Sequence, residues 1–373
     1  MLTKRDTRHP LDETSPFRPP CTKKSEEERR TMKAVRLEAT GKLALREVER
    51  PEPGVGELLV RTEACGICGT DRHLFLGEFP SKPPVTLGHE FAGIIEKVGD
   101  GVSGFRAGMR VTGDPNIACG RCPECRRGRV NLCHNLQAIG IHRDGGFAEY
   151  VCIPQQQAFE LPSALDPLHG AFCEPLSCCI HGVDLAEIRT GASVVVLGGG
   201  VIGLLIVQLA RLAGATKVVL VTRTEEKRTL AEKLGATASA DPLSGDIVAR
   251  LIAADGLLPG GADVVIECAG VAETIEQAPR LARRGGTVVI LGVMPRGMKI
   301  GVEPFDLLFR EIKLVNSFLN PFTHQRAAEF IASGTIKVEP LISRRIGFND
   351  AVEAISSPAR LGEIRTLVVP DID

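Results

Sequence analysis

No tryptophan and a single tyrosine occur in 373 residues, and aromatics make up only 4% of the chain. A core of any size must therefore be largely aliphatic. Neither sign of charge is in excess: 45 Lys and Arg face 46 Asp and Glu, for a formal net charge of -1. That balance offers no long-range field to nucleic acid or to an anionic membrane surface. Long apolar runs are also scarce. The one charge-free stretch long enough to cross a bilayer, from Gly191 to Ala210, is broken by three consecutive glycines, with β-branched residues before them and helix formers after. A strand, a tight turn and a buried helix account for it, and no membrane span is expected. There is no tandem repeat and no recognisable secretory signal. The 12 cysteines are therefore not read as a disulfide scaffold, which is the habit of short secreted chains. Several of them cluster at metal-ligand spacings, and a reducing, cytoplasmic setting is expected.

The length suits two domains better than one core. Residues 1–31 mix charge and proline without apolar periodicity and read as a disordered tail. From Met32, short β-like runs separated by Gly and Pro (Leu58–Thr62, Ala92–Val98, Arg110–Val111, Ala148–Ile153) predict an antiparallel, β-rich domain with long loops. From about Gly191 the rhythm becomes strand–helix alternation, with strands expected at Val194–Leu197, Lys217–Val221, Asp263–Cys268, Thr287–Leu291 and Lys313–Phe318. Helices are expected between them, as at Ile202–Leu212 and Glu225–Leu234, so the class is α/β with a doubly wound parallel sheet. The C-terminal part carries two further helices and a last strand, Thr366–Val369.

Three stretches carry chemistry. Cys119, Cys122, Cys125 and Cys133 form C-x2-C-x2-C-x7-C among turn residues, a set that can close a tetrahedral, structural zinc site. Gly198-Gly199-Gly200-Val201-Ile202-Gly203 contains G-x-G-x-x-G between a predicted strand and a predicted helix, the context in which that pattern signals a dinucleotide. Gly198 permits the turn, Gly200 the approach of the pyrophosphate, and Gly203 the packing of helix on strand. At the end of the next strand, where NAD proteins usually hold Asp or Glu, the chain reads Val221-Thr222-Arg223-Thr224, with Arg228 beyond. Arg223 can pair with a 2′-phosphate while Thr222 and Thr224 donate hydroxyl hydrogen bonds, so NADP is preferred over NAD.

The third stretch, Cys65 to Glu90, offers Cys65, Cys68, Thr70, Asp71, His73, His89 and Glu90. Mixed Cys, His and carboxylate donors suit zinc, and fewer than four protein ligands leave a catalytic position open. Cys65 and Cys68 are both candidate ligands at this point. Glu174, in Phe172-Cys173-Glu174-Pro175-Leu176, can reach the same metal, with Cys173, Cys178 and Cys179 as rivals.

Taken together, Gly66-Ile67-Cys68-Gly69-Thr70-Asp71, Gly88-His89-Glu90, the four-cysteine lobe, Glu174-Pro175-Leu176-Ser177 and the glycine turn resemble the zinc-containing medium-chain dehydrogenases, particularly the polyol (sorbitol) and threonine dehydrogenase branch. The resemblance runs from about Met32 to near the C-terminus. It implies a GroES-like catalytic domain (32–180 and 320–373), a Rossmann domain (181–319) and an active site between them. Cys68 and His89 would be catalytic zinc ligands, Glu174 a further ligand, Glu90 an exchangeable ligand or outer neighbour, and Asp71 the group that orients His89. Val201, Ile202 and Val293 join the glycines as cofactor candidates. Zinc would acidify the alcohol, hydride would pass to the nicotinamide, and Thr70 and His73 would relay the proton. Two zinc ions per chain, a small alcohol, polyol or ketone substrate and a homotetramer or homodimer are implied. The chain departs from the branch at Met109, where Asp is usual, and at Leu74 and Ser317-Phe318, where sorbitol enzymes carry Tyr and Arg-Tyr. Those losses disfavour sorbitol and leave a less hydroxylated secondary alcohol. The competing expectations are an NAD-dependent polyol or threonine dehydrogenase, a zinc-free reductase of the same fold, and a non-catalytic dinucleotide sensor with one structural zinc.

Overall fold

The structure, a computed structural model, describes residues 30–372. Residues 1–29 of the expected tail lie outside the described residues. The tail boundary at residue 31 needs correction, because Thr31 already pairs with Glu49 in the strand Thr31–Ala39.

The six parallel strands are β1 (Ser193–Leu197), β2 (Lys217–Val221), β3 (Ala238–Ala240), β4 (Ala262–Glu267), β5 (Ala282–Ile290) and β6 (Lys313–Asn316). They lie in the order β3-β2-β1-β4-β5-β6, so the strand order reverses between β1 and β4. Alternation explains the continuous apolar run of β1. Val194 and Val196 face one hydrophobic core, Val195 and Leu197 the other, and both faces are covered. Each such buried side chain contributes roughly 1.5–3 kcal/mol. The run Gly191–Ala210 becomes β1, the glycine turn and a helix, Val201–Leu212. Among the described residues no helix is long and apolar enough to cross a membrane. The strand β3, Ala-Ser-Ala, was not expected, since three small residues carry no β signal.

The other domain is built on a seven-stranded sheet whose path runs Ala158–Leu161, Arg110–Gly113, Glu90–Val98, Glu57–Gly66, Arg365–Val368, Ile342–Ile346. Tyr150–Pro154 also pairs with Glu57–Gly66. The last strand of the chain lies antiparallel to Glu57–Gly66, with Val368 opposite Cys65, so the C-terminal segment completes the N-terminal domain. Its Ile346, Phe348, Ile355 and Val368 share one core with Leu58, Phe91, Val111 and Ile153. The sheet is antiparallel except for the pairing of Ile342–Ile346 with Arg365–Val368, which is parallel. Met109, the departure noted in the sequence, is buried in this core, and its Sδ accepts the backbone N–H of Arg106 at 3.3 Å.

A helix from Cys173 to Ala186 joins the two units. The expected domain boundary at 180/181 falls inside it. Buried Cys173, Leu176, Cys179 and Ile180 belong to a core that also holds Ala64, Ala92, Val194, Val196 and Leu204, so this helix is packed from both domains.

Candidate metal centre and dinucleotide site

The strand Glu57–Gly66 ends just before Cys68, and parity separates the two cysteines of the first motif. Cys65 points into the core, fully buried, where desolvation raises its thiol far above the ordinary range. A Cβ built on Gly88 would lie 2.9 Å from its Sγ, which shows how tightly it is enclosed. Cys68 instead caps the helix Gly69–Leu76. Asp71, three residues on, accepts the Cys68 backbone N–H at 2.8 Å through Oδ2, which fixes the loop on which Cys68 sits. The other oxygen, Oδ1, stands 3.5 Å from His89 Nδ1, near it but without a hydrogen bond between them. Burial disfavours a charged His89, but Asp71 and Cys68 outweigh it and raise the imidazole well above its usual value.

Donor atoms of Cys68, His89 and Glu90 lie within 4.8 Å of one another, buried except for the half-buried Cys68. Thiolate, imidazole and carboxylate at that spacing fit a zinc ion with an open position. Glu174 is not part of this tight group. It lies at the start of the joining helix, 7% exposed, and burial together with nearby Glu90 pushes its carboxyl up to about 7. Cys178, one turn along, has its Sγ 3.6 Å from Glu174 Oε1, and burial pushes that thiol far up, as it does Cys179. Thr70 is half-buried on the first turn after Cys68, and His73 Nδ1 meets Glu78 Oε2 at 2.6 Å.

Sequence reasoning missed one partner of this cluster. Arg365, from the last strand, is 4% exposed, and its Nη1 lies 2.9 Å from Glu90 Oε2. The same guanidinium donates to the carbonyl of Ile67, next to Cys68. A buried charge pair of this kind costs much to break on one side only. No local pattern in the sequence marks it, because the partners meet only through the closing strand.

The four-cysteine lobe converges as its spacing implies. The Sγ atoms of Cys119, Cys122, Cys125 and Cys133 lie within 4.8 Å of one another. Backbone N–H groups of Arg121 and Cys122 pull the Cys119 thiol down to about 6, whereas burial and the neighbouring thiols push Cys125 up to about 12. Four sulfurs, with backbone N–H groups donating to them from outside, fit a closed tetrahedral ion. A third group, Asp166, His169 and Glu339, is largely exposed, and His169 and Arg345 already pair with Glu339.

At the glycine turn, Gly198 has φ +108°, and a Cβ there would lie 2.9 Å from the Ala269 nitrogen. A Cβ on Gly203 would fall on the Gly198 carbonyl, so helix and strand touch as the motif requires. Nothing stands within 4 Å of the Gly200 position, which caps the helix Val201–Leu212. That opening suits a pyrophosphate at the helix N-terminus. The helix that follows the turn touches the joining helix, since Cys179 Sγ faces the carbonyl of Ile202 at 3.7 Å. Thr222 packs over Gly199, where a Cβ would meet its Oγ1 at 2.6 Å. Arg228 turns inward: its Nη1 donates to the carbonyls of Thr222 and Arg223 at 2.8 and 2.9 Å and pairs with Asp241. Arg223 is exposed, and its guanidinium makes no hydrogen bond or ion pair among the described residues. Thr224 caps the helix Glu225–Lys233, and Val293 is 56% exposed beside Gly270.

Comparison with known proteins agrees with this architecture. Residues 54–163 match the alcohol dehydrogenase GroES-like domain family, and residues 201–333 the zinc-binding dehydrogenase family. L-idonate 5-dehydrogenase of Vitis vinifera is 35% identical over 321 residues, 84% of this chain and 87% of that one. L-threonine 3-dehydrogenase of Pyrococcus abyssi is 33% identical over 317 residues, covering 83% and 89%. A solved structure from Sinorhizobium meliloti 1021, assigned as a zinc-binding dehydrogenase and bound to NADP, is 63% identical with a TM-score of 0.90, covering 91% of this chain and 99% of its own. The chain thus belongs to the zinc-containing medium-chain alcohol dehydrogenase superfamily, with a GroES-like domain and a Rossmann domain.

Proposed function

We propose that this protein is a zinc-dependent oxidoreductase that moves hydride between a secondary alcohol and NADP, with the corresponding ketone as the other substrate. The observation that carries the reading is the convergence of Cys68, from a helix-capping loop, with His89 and Glu90, at the start of the strand Glu90–Val98, in a chain whose joining helix touches the helix that follows the glycine turn. Zinc bound there would supply a Lewis acid for the alcohol oxygen, and the dinucleotide would accept the hydride. Cys68, His89 and Glu90 would hold the ion, with Glu174 as a further or exchangeable carboxylate. Asp71, with Oδ1 at 3.5 Å from His89 Nδ1, would orient the His89 ring toward the ion. The Thr70 hydroxyl and the His73 imidazole, one turn apart on the same helix, offer the proton a path to solvent, with Glu78 holding the ring. The four cysteines would hold a second, structural zinc.

The relatives' names support a secondary alcohol, because carbon 5 of idonate and carbon 3 of threonine are both interior positions. Leu74 and Ser317-Phe318 leave the pocket poorer in hydrogen-bonding groups than a sorbitol site. The test is reduced-nicotinamide absorbance with zinc-replete protein and a panel of polyols, secondary alcohols, L-threonine and sugars, each with NADP and with NAD. Turnover confined to secondary alcohols with NADP is expected. Silence across the panel with both metal sites filled would sink the substrate reading.

A homo-oligomer is supported by the outer edge of the parallel sheet. There β6 exposes Leu314, and the helix Pro304–Phe309 exposes Phe305, Leu308 and Phe309 at 64%, 72% and 60%. An unpaired strand edge beside such a patch fits a second copy of the chain. Substituting Leu308→Glu together with Phe305→Glu is expected to halve, or more than halve, the mass measured by light scattering. An unchanged mass in a folded variant would remove this edge from the interface.

A further inference from the structure

Glu267, the last residue of β4, is fully buried and has no part in the chemistry proposed above. It sits where the strand order reverses, the place at which open α/β sheets bind their ligands. One carboxylate oxygen, Oε1, accepts three hydrogen bonds: from the backbone N–H of Ala269 at 2.7 Å, from that of Gly270 at 2.9 Å, and from Thr274 Oγ1 at 2.7 Å. The other, Oε2, points at the loop after β5, where a Cβ on Gly292 would lie 2.5 Å from it. The Glu267 carbonyl meanwhile accepts the N–H groups of Leu291 and Gly292 at 2.9 and 3.0 Å. One residue thus grips the loops that follow two adjacent strands.

Both loops border the cofactor candidates. Ala269 is the backbone against which Gly198 turns, and Gly270, at φ +68°, lies against Val293, so closely that a Cβ on it would be 2.4 Å from the Val293 carbonyl oxygen. The carboxylate thus holds Ala269, the wall of the glycine turn, directly, and bears on Val293 through Gly270, while the Glu267 carbonyl holds the start of the loop after β5.

We propose that Glu267 is a positioning residue for the dinucleotide, holding the loops after β4 and β5 in the shape that receives it. The inference rests on the dinucleotide reading of the glycine turn. It does not depend on which nicotinamide cofactor is preferred. Glutamine cannot take the same role without loss. Whichever way its amide is turned, an NH2 is buried without an acceptor: against the N–H groups of Ala269 and Gly270, or in the place of Oε2, which is buried and has no hydrogen-bond partner among the described residues. A buried donor left unpaired costs its full desolvation, and the three bonds to Oε1 lose their charge assistance. Aspartate, by contrast, keeps the charge and still reaches residues two and three ahead, as in Asx turns, but falls short of the loop after β5.

The experiment compares wild type, Glu267→Gln and Glu267→Asp as full-length, zinc-replete proteins. NADPH and NADH are both titrated by fluorescence, and the tighter-binding one serves as the probe. A wild-type preference for NADH would overturn the Arg223 reading and leave the Glu267 comparison to be made on NADH. We expect Glu267→Gln to weaken probe binding by about 10- to 100-fold, to raise the cofactor KM in step, and to leave kcat at saturating cofactor within about threefold. Glu267→Asp should recover part of the affinity. The proposal is overturned if folded Glu267→Gln binds the probe as wild type does, or if kcat falls while affinity holds. Should the glutamine variant not fold, an aspartate variant with unchanged affinity overturns it equally.

Discussion

Replacing Cys68 by serine is expected to reduce kcat by about 1,000-fold or more while leaving the fold and the four-cysteine lobe intact. A hydroxyl is a far poorer ligand for zinc than a thiolate, and Cys68 is one of only three donors gathered within 4.8 Å. Losing an ion that lowers a barrier by several kcal/mol costs a factor of ten for each 1.4 kcal/mol or so. The substitution is sterically small, and the Cys68 N–H bond to Asp71 does not involve the side chain. Metal analysis should find the stoichiometry falling from two ions per chain to one. A serine variant that turns over normally with both ions retained would refute the assignment of Cys68 as a ligand of a catalytic ion.

Arg223→Ala is expected to weaken NADP binding by about 10- to 100-fold, consistent with the loss of one or two charge-assisted hydrogen bonds, and to leave NAD affinity within about twofold. The contrast between the two cofactors is the informative quantity, since a general loosening of the site would weaken both. Arg223 is the arginine proposed for that contact because its guanidinium is exposed and uncommitted among the described residues. Arg228, the other arginine of the segment, is committed to the backbone of Thr222 and Arg223 and to Asp241. Arg223 is exposed, so a pairing with phosphate would be screened by salt, and any preference of wild type for NADP should shrink as ionic strength rises. Equal losses for NADP and NAD in the alanine variant would count against a 2′-phosphate contact.

Local chemistry was readable from the chain where the interacting residues are neighbours in it. The lobe cysteines lie within 15 positions, and the glycine turn within six, and tight turns leave such segments few alternatives. β1 and β2 were also legible, because β-branched runs bounded by glycine admit little else. The choice between Cys65 and Cys68 was not readable from the residues alone, and Cys68 was named only through the family resemblance. It depends on which residue ends the strand Glu57–Gly66, and strand ends are set by pairing with Glu90–Val98 and Arg365–Val368 rather than by local preference. The helix Cys173–Ala186 escaped for another reason. Buried between two domains, it lacks the one-sided polar face by which surface helices announce themselves. Arg365 and Glu267 act through partners that only the assembled sheets bring near. As isolated letters they are an arginine in a C-terminal strand and a glutamate after a valine run.

The strand Arg365–Val368 has a consequence for how the protein is made. The Rossmann sheet is contiguous in the chain and has all its strands by Asn316. The centre around Cys68, however, takes its guanidinium from a residue 298 positions beyond Ile67, and the strand that carries Cys65, already paired with Glu90–Val98 on one side, gains its partner on the other side of Cys65 only when Leu367 and Val368 arrive. During synthesis, domains fold largely in the order in which they emerge. Here the first domain to emerge is the last that can be finished. A ribosome-stalled chain ending near residue 355 is expected to bind dinucleotide already yet to hold zinc at Cys68 poorly, so that loading of that one centre, unlike the four-cysteine lobe, would follow release of the polypeptide.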